Sequence, residues 1–92
     1  MFSGLAARSF EGVPMFVLSH RHEPDECRVA YAAWKGFDSP LRRKQTMASC
    51  GSGEHCIFWL VQAGDTSEAL AQLPRWLAER THAAEVSEVA IP

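Results

Sequence analysis

Four histidines and three cysteines are the side chains of this 92-residue chain best suited to chemistry, and most of them fall in two short stretches. His20 and His22 are one residue apart and are followed by Cys27; Cys50, His55 and Cys56 lie within seven positions of one another; His82 stands alone. Imidazole nitrogens and thiolate sulfurs are the donors that first-row transition ions take from proteins. Histidines at i and i+2 on a strand point the same way, so one ion can take both imidazoles, with a thiolate or a third imidazole completing the set. His20 and His22 are therefore the first candidate ligands, Cys50, His55 and Cys56 the candidates to complete the site, and Ni, Zn or Cu the candidate ion. A purely structural role stays open beside this one, because half-polar residues gather at strand ends and cysteine often serves as a small buried apolar group. An acid–base role for one histidine is a third possibility. Cys27 opens an apolar helical stripe and reads as core rather than ligand, and His82 suits the C-terminal end of a helix through its dipole.

These residues need elements to position them. MFVLSH, residues 15–20, is apolar on both alternating faces, as a central strand covered above and below would be. Pro24 then suits a first helical position, Asp25 and Glu26 its anion-favouring first turn, and Gly36 its end. Between them Cys27, Ala30, Tyr31 and Trp34 repeat at i, i+3, i+4 and i+7, which predicts one buried stripe. QTMASC and HCIFWLVQA are strand-like runs joined by GSGE, a hairpin whose turn can hold two residues or three. In the second run Ile57, Trp59 and Val61 share one face and Cys56, Phe58 and Leu60 the other. Asp65 and Glu68 resemble a capping box for a helix over 66–80 marked by Leu70, Leu73 and Leu77, and Pro74 predicts a kink or two short helices meeting at Leu73. AAEVSEVAIP alternates as a last strand, with Val89 and Ile91 opposite Val86.

Ninety-two residues make one domain near the lower limit for burying an adequate core alone, which makes a second subunit a natural expectation. The opening 14 residues lack periodicity and read as a flexible extension before a single domain over 15–92. With 47% hydrophobic residues, 22% charged and a net charge of −2, the composition is globular and offers nucleic acid no electrostatic footprint. The cluster Arg42, Arg43 and Lys44 reads as solvated rim. No apolar run reaches the roughly 20 residues that span a bilayer. The odd number of cysteines without CxxC spacing suits a reducing compartment, and the chain reads as cytoplasmic.

The order strand, helix, strand, strand, helix, strand is that of the ferredoxin-like βαββαβ unit: an α+β domain with an antiparallel four-stranded sheet and both helices on one face. The first strand then lies between the third and fourth, which brings all the histidines and cysteines to one end. The other sheet face is left bare and apolar, so a second copy should cover it. Over residues 15–91 this order and these two-sided strands resemble the dimeric α+β barrel superfamily, which includes muconolactone isomerases, small monooxygenases and several uncharacterised bacterial families. The resemblance implies a homodimer and a cleft for a small hydrophobic molecule, where Tyr31, Trp34 and Trp59 are the candidate lining. Three functional readings follow: a small homodimeric binding protein holding a transition metal at the His/Cys edge; a cofactor-independent isomerase or monooxygenase acting on a hydrophobic or aromatic compound; or a structural or protein-interaction module.

Overall fold

The computed structural model describes residues 12–92, so most of the expected N-terminal extension lies outside the described residues. The chain forms β1 (Met15–Arg21), α1 (Cys27–Ala32), β2 (Met47–Ala48), β3 (Cys56–Gln62), α2 (Thr66–Leu70), α3 (Arg75–Ala78) and β4 (Thr81–Val86). This is an α+β architecture whose four strands make one antiparallel sheet in the order β2-β3-β1-β4.

The register follows from the two-sided apolar pattern. Phe16 pairs with Val61, Leu18 with Trp59 and His20 with Ile57. All six are buried, and with Ala83 of β4 they present one sheet face to Ala30 of α1, Ala69 of α2, and Leu73 and Leu77. Leu18 and Leu77 are fully buried at the centre of this layer. The alternate residues turn the other way, and Phe58, Leu60 and Met47 are exposed there. The apolar second face read from the sequence is thus real, and nothing in this chain's described residues covers it.

Three local expectations change, while the break expected at Pro74 is present: the second helical segment is two short helices, because Pro74 cannot continue α2 and instead precedes α3. Asp65 Oδ1 accepts from the Glu68 backbone N–H at 2.8 Å, and the Glu68 carboxylate accepts from the Gly64 N–H. QTMASC pairs through Met47 and Ala48 only. The last strand starts earlier and ends at Val86, leaving Val89 and Ile91 outside it at 75% and 84% exposure. Its end coincides with the start of β1, where Val86 pairs with Met15. The α1 stripe is also only part buried, with Ala30 inside and Tyr31 58% exposed.

Candidate metal centre

At the end of the sheet where β1 exits, three segments meet. Alternation on β1 places His20 on the core face, and His22 follows on the same side one residue beyond the strand; they are 1% and 4% exposed. The His22 backbone N–H donates to the His55 carbonyl at 3.2 Å, which keeps the chain beside the β2–β3 connection after β1 has ended. Pro24–Glu26 then forms a short 3-10 turn, stabilised where the Glu26 carboxylate accepts from the Glu23 N–H at 2.8 Å, and delivers Cys27 as the first residue of α1. Side chains lean toward the N-terminus of their helix, so Cys27 points back at the strand exit.

The β2–β3 connection supplies the other half. Ser49 and Cys56 bond across it, Ser49 N–H to Cys56 O at 2.8 Å and Cys56 N–H to Ser49 Oγ at 3.1 Å. Between them Cys50–Ser52 makes another 3-10 turn that Gly53 closes at φ 93°. His55 follows at φ 59°, a left-handed conformation that is costly for a side chain bearing a Cβ. That turn of the backbone aims the His55 ring inward: its Nδ1 lies 3.3 Å from Cys27 Sγ. Cys50 Sγ lies 3.6 Å from His22 Nε2. One ligand atom from each of His22, Cys27, Cys50 and His55 falls within 4.8 Å of all the others. For a tetrahedral zinc with ordinary bond lengths, ligand atoms stand about 3.3–3.8 Å apart. Two of the pairs, Cys27–His55 and Cys50–His22, meet that spacing, and all of the others lie within 4.8 Å.

The remaining sequence candidates take other places. His20 stands behind the four, its Nε2 3.0 Å from His22 Nδ1 and its Nδ1 3.3 Å from Thr81 Oγ1, with its ring against Trp59 and Trp76. Cys56 Sγ is directed to its own neighbour, the Glu54 carbonyl, at 3.6 Å. His82 is exposed on the opposite sheet face, across from Ser19, instead of serving a helix end. Cys27, read from the sequence as core, is a member of the cluster. The signal that could have found it is the Pro-Asp-Glu helix start, which fixes Cys27 in a first turn facing the strand exit. Of the three aromatics considered for a cleft, Trp59 is buried in the core with Trp34 packed against it at 6.1 Å between ring centroids, while Tyr31 lies beside the two thiols.

The protonation pattern follows from this crowding. Burial pushes the Cys50 thiol up, and its neighbour Cys27 pushes it further. Burial, then the Cys50 and Cys27 thiols, hold the Tyr31 phenol up, so it remains a hydrogen-bond donor. Burial lowers the pKa of His20, and the neighbouring His22 adds to this. The Cys50 thiol thus resists ionising, and a divalent cation removes that difficulty: with two thiolates and two neutral imidazoles the site carries no net charge.

No protein-family model, curated protein or solved structure matches the chain. Among the described residues no helix is long and apolar enough to cross a membrane. What fold and site define together is an α+β domain with a Cys2His2 cluster that could hold a metal ion.

Proposed function

We propose that this chain is a small metal-binding domain whose Cys2His2 site takes a transition ion of tetrahedral preference, zinc before nickel or copper. The observation that carries this is the approach of four ligand atoms from His22, Cys27, Cys50 and His55 to within 4.8 Å of one another. Mixed sulfur and nitrogen donors in a tetrahedral set favour zinc, and four protein ligands leave no open position for a substrate, so the role is structural. The ion would tie the exit of β1, the start of α1 and the β2–β3 connection together at one corner.

The test is elemental analysis of protein purified without a metal-affinity tag, followed by zinc and cobalt titration of the metal-free form. About one equivalent per chain is expected, with intense sulfur-to-cobalt charge transfer and loss of both in Cys27→Ser and Cys50→Ser. No metal above background and no cobalt spectrum on titration would remove the proposal.

The sheet order and the one-sided helices support reading the domain as ferredoxin-like, and the exposed Phe58, Leu60 and Met47 support a homodimer formed through the bare sheet face, as in dimeric α+β barrels. Sedimentation at micromolar concentration should give twice the chain mass and Leu60→Glu should give a monomer. A wild-type protein sedimenting as one chain would overturn the dimer and leave the metal site standing.

A further inference from the structure

His20 is buried beside the cluster, yet both of its ring nitrogens are already engaged. Thr81 Oγ1 lies 2.6 Å from the Leu77 carbonyl and 3.3 Å from His20 Nδ1, and His20 Nε2 lies 3.0 Å from His22 Nδ1. The proton positions along this chain follow from its far end. A carbonyl only accepts, so the single Thr81 hydroxyl proton is committed to Leu77. Thr81 Oγ1 must then accept, which places a proton on His20 Nδ1. With its one proton on Nδ1, the His20 ring has only a lone pair at Nε2, the nitrogen that meets His22 Nδ1. His22 must therefore carry its proton on Nδ1, which leaves a free lone pair on Nε2, the nitrogen facing Cys50 Sγ.

We infer that Thr81 and His20 form a hydrogen-bonded relay, anchored on the Leu77 carbonyl, that fixes the tautomer and ring orientation of His22 so that Nε2 is its metal-binding atom. The inference rests on the metal reading for its consequence, though not for the tautomer itself. His20 and Thr81 are positioning residues: neither supplies a donor to the ion, and both act through His22. Trp59 and Trp76, with ring centroids 6.4 and 5.9 Å from that of His20, hold its ring in place. Hydrogen-bonded supports of ligating histidines raise ligand basicity and remove the freedom the ring would otherwise lose on binding. The geometry also gives the two histidines, two residues apart on one side of the chain, different jobs.

The test combines tautomer determination with affinity. Long-range 15N–1H NMR correlation on the metal-free wild-type protein should show the Nδ1–H form for both His20 and His22; an Nε2–H form at His22 would overturn the relay whether or not metal binds. Zinc affinity, measured by competition with a chromophoric chelator, should fall about 10- to 100-fold in His20→Leu and about 3- to 10-fold in Thr81→Val. His20→Gln, which can keep an acceptor near the Nε2 position, should recover most of the loss with the cobalt spectrum of the wild type. If His20→Leu does not fold, the Gln and Val variants with the wild-type NMR carry the test. Wild-type affinity in the folded Leu variant, or equal loss in the Leu and Gln variants, would refute the relay; failure of the wild type to bind zinc or cobalt would refute the metal reading, with the tautomer result still deciding the hydrogen-bonded chain.

Discussion

The middle of the sheet and its metal-candidate corner are built on different physics. β1 is paired along its length with β3, and from Met15 to His20 with β4, and its core-face residues Phe16 and Leu18 are sealed by apolar side chains from the helical layer. At the corner β2 contributes Met47 and Ala48 alone, the next segment is a single 3-10 turn, and His55 has a left-handed backbone. What gathers there is imidazole and thiol, with small apolar burial and few ladder bonds. A hydrophobic layer holds itself together by excluding water. A cluster of half-buried polar side chains does not, and its order depends on what the donors bind. The centre should therefore account for most of the stability of the domain, and the corner for its dependence on metal.

The largest effect that tests this contrast is at the centre. Leu18→Ala removes a fully buried side chain and should cost about 2–5 kcal/mol in urea unfolding of the metal-loaded protein. Much of the stability of a domain this size would go, while zinc affinity in the surviving folded fraction should stay near wild type. A comparable fall in zinc affinity would mean that the two regions are not separate.

Removal of the ion should come next. At free zinc 100 times the dissociation constant, binding to the folded state adds about 2.7 kcal/mol, all of which a chelator withdraws. Hydrogen exchange should show where it acts: on chelation, protection should drop over 49–56 and at the start of α1, and much less along β1. Uniform loss of protection across the sheet would show that the ion stabilises only the global fold, and the comparison would fail.

The same contrast decides how much the sequence disclosed. The centre was legible because apolar alternation at period two specifies both strand and face, and a register slip would expose Phe16, Leu18, Ile57 and Trp59 together. Pro74 also marked its break correctly. The ends were harder to place. Val89 and Ile91 continue the alternating pattern, but the partner strand begins at Met15, opposite Val86, a fact of pairing that the C-terminal sequence does not contain. Within the candidate site, His22, Cys50 and His55 could be named from residue type and topology. Replacing His20 and Cys56 by Cys27 required side-chain direction: the lean of a first-turn helical residue, and a half-buried Thr81 beside His20 that comes from 61 positions further along the chain.

A smaller effect concerns pH in the metal-free protein. His20 titrates below its usual 6.5 because burial disfavours its cation and His22 reinforces this. As pH falls below 6.5 the unfolded chain takes up a proton that the folded chain refuses, so stability present at neutral pH drains away until the folded pKa is also passed. His20→Gln should flatten this part of the pH dependence of urea unfolding with chelator present. An unchanged slope would assign the acid sensitivity elsewhere. Metal binding carries the opposite emphasis: Cys50 is pushed up from 9.0, so zinc must displace its proton, and affinity should keep rising with pH past the point where an ordinary thiol site levels off.

The smallest expected effect is at Tyr31, on the solvent side of the same corner. Its phenol helps to lower the Cys50 thiol, against the stronger upward push of burial and Cys27, and the raised pKa of the phenol keeps its own proton in place. Tyr31 is 58% exposed, so water can replace most of what the phenol gives. Tyr31→Phe should accordingly weaken zinc by only about two- to threefold, the lower end of the net worth of one hydrogen bond, while the pH profile of Cys50 alkylation in the metal-free protein moves upward. The readout separates this residue from His20: loss of a donor to Cys50 shifts the thiol, whereas loss of the His20 acceptor frees the His22 ring to change tautomer. If Tyr31→Phe left the alkylation profile where it was, the phenol would be a bystander at the corner and the thiols would owe their behaviour to each other and to burial alone.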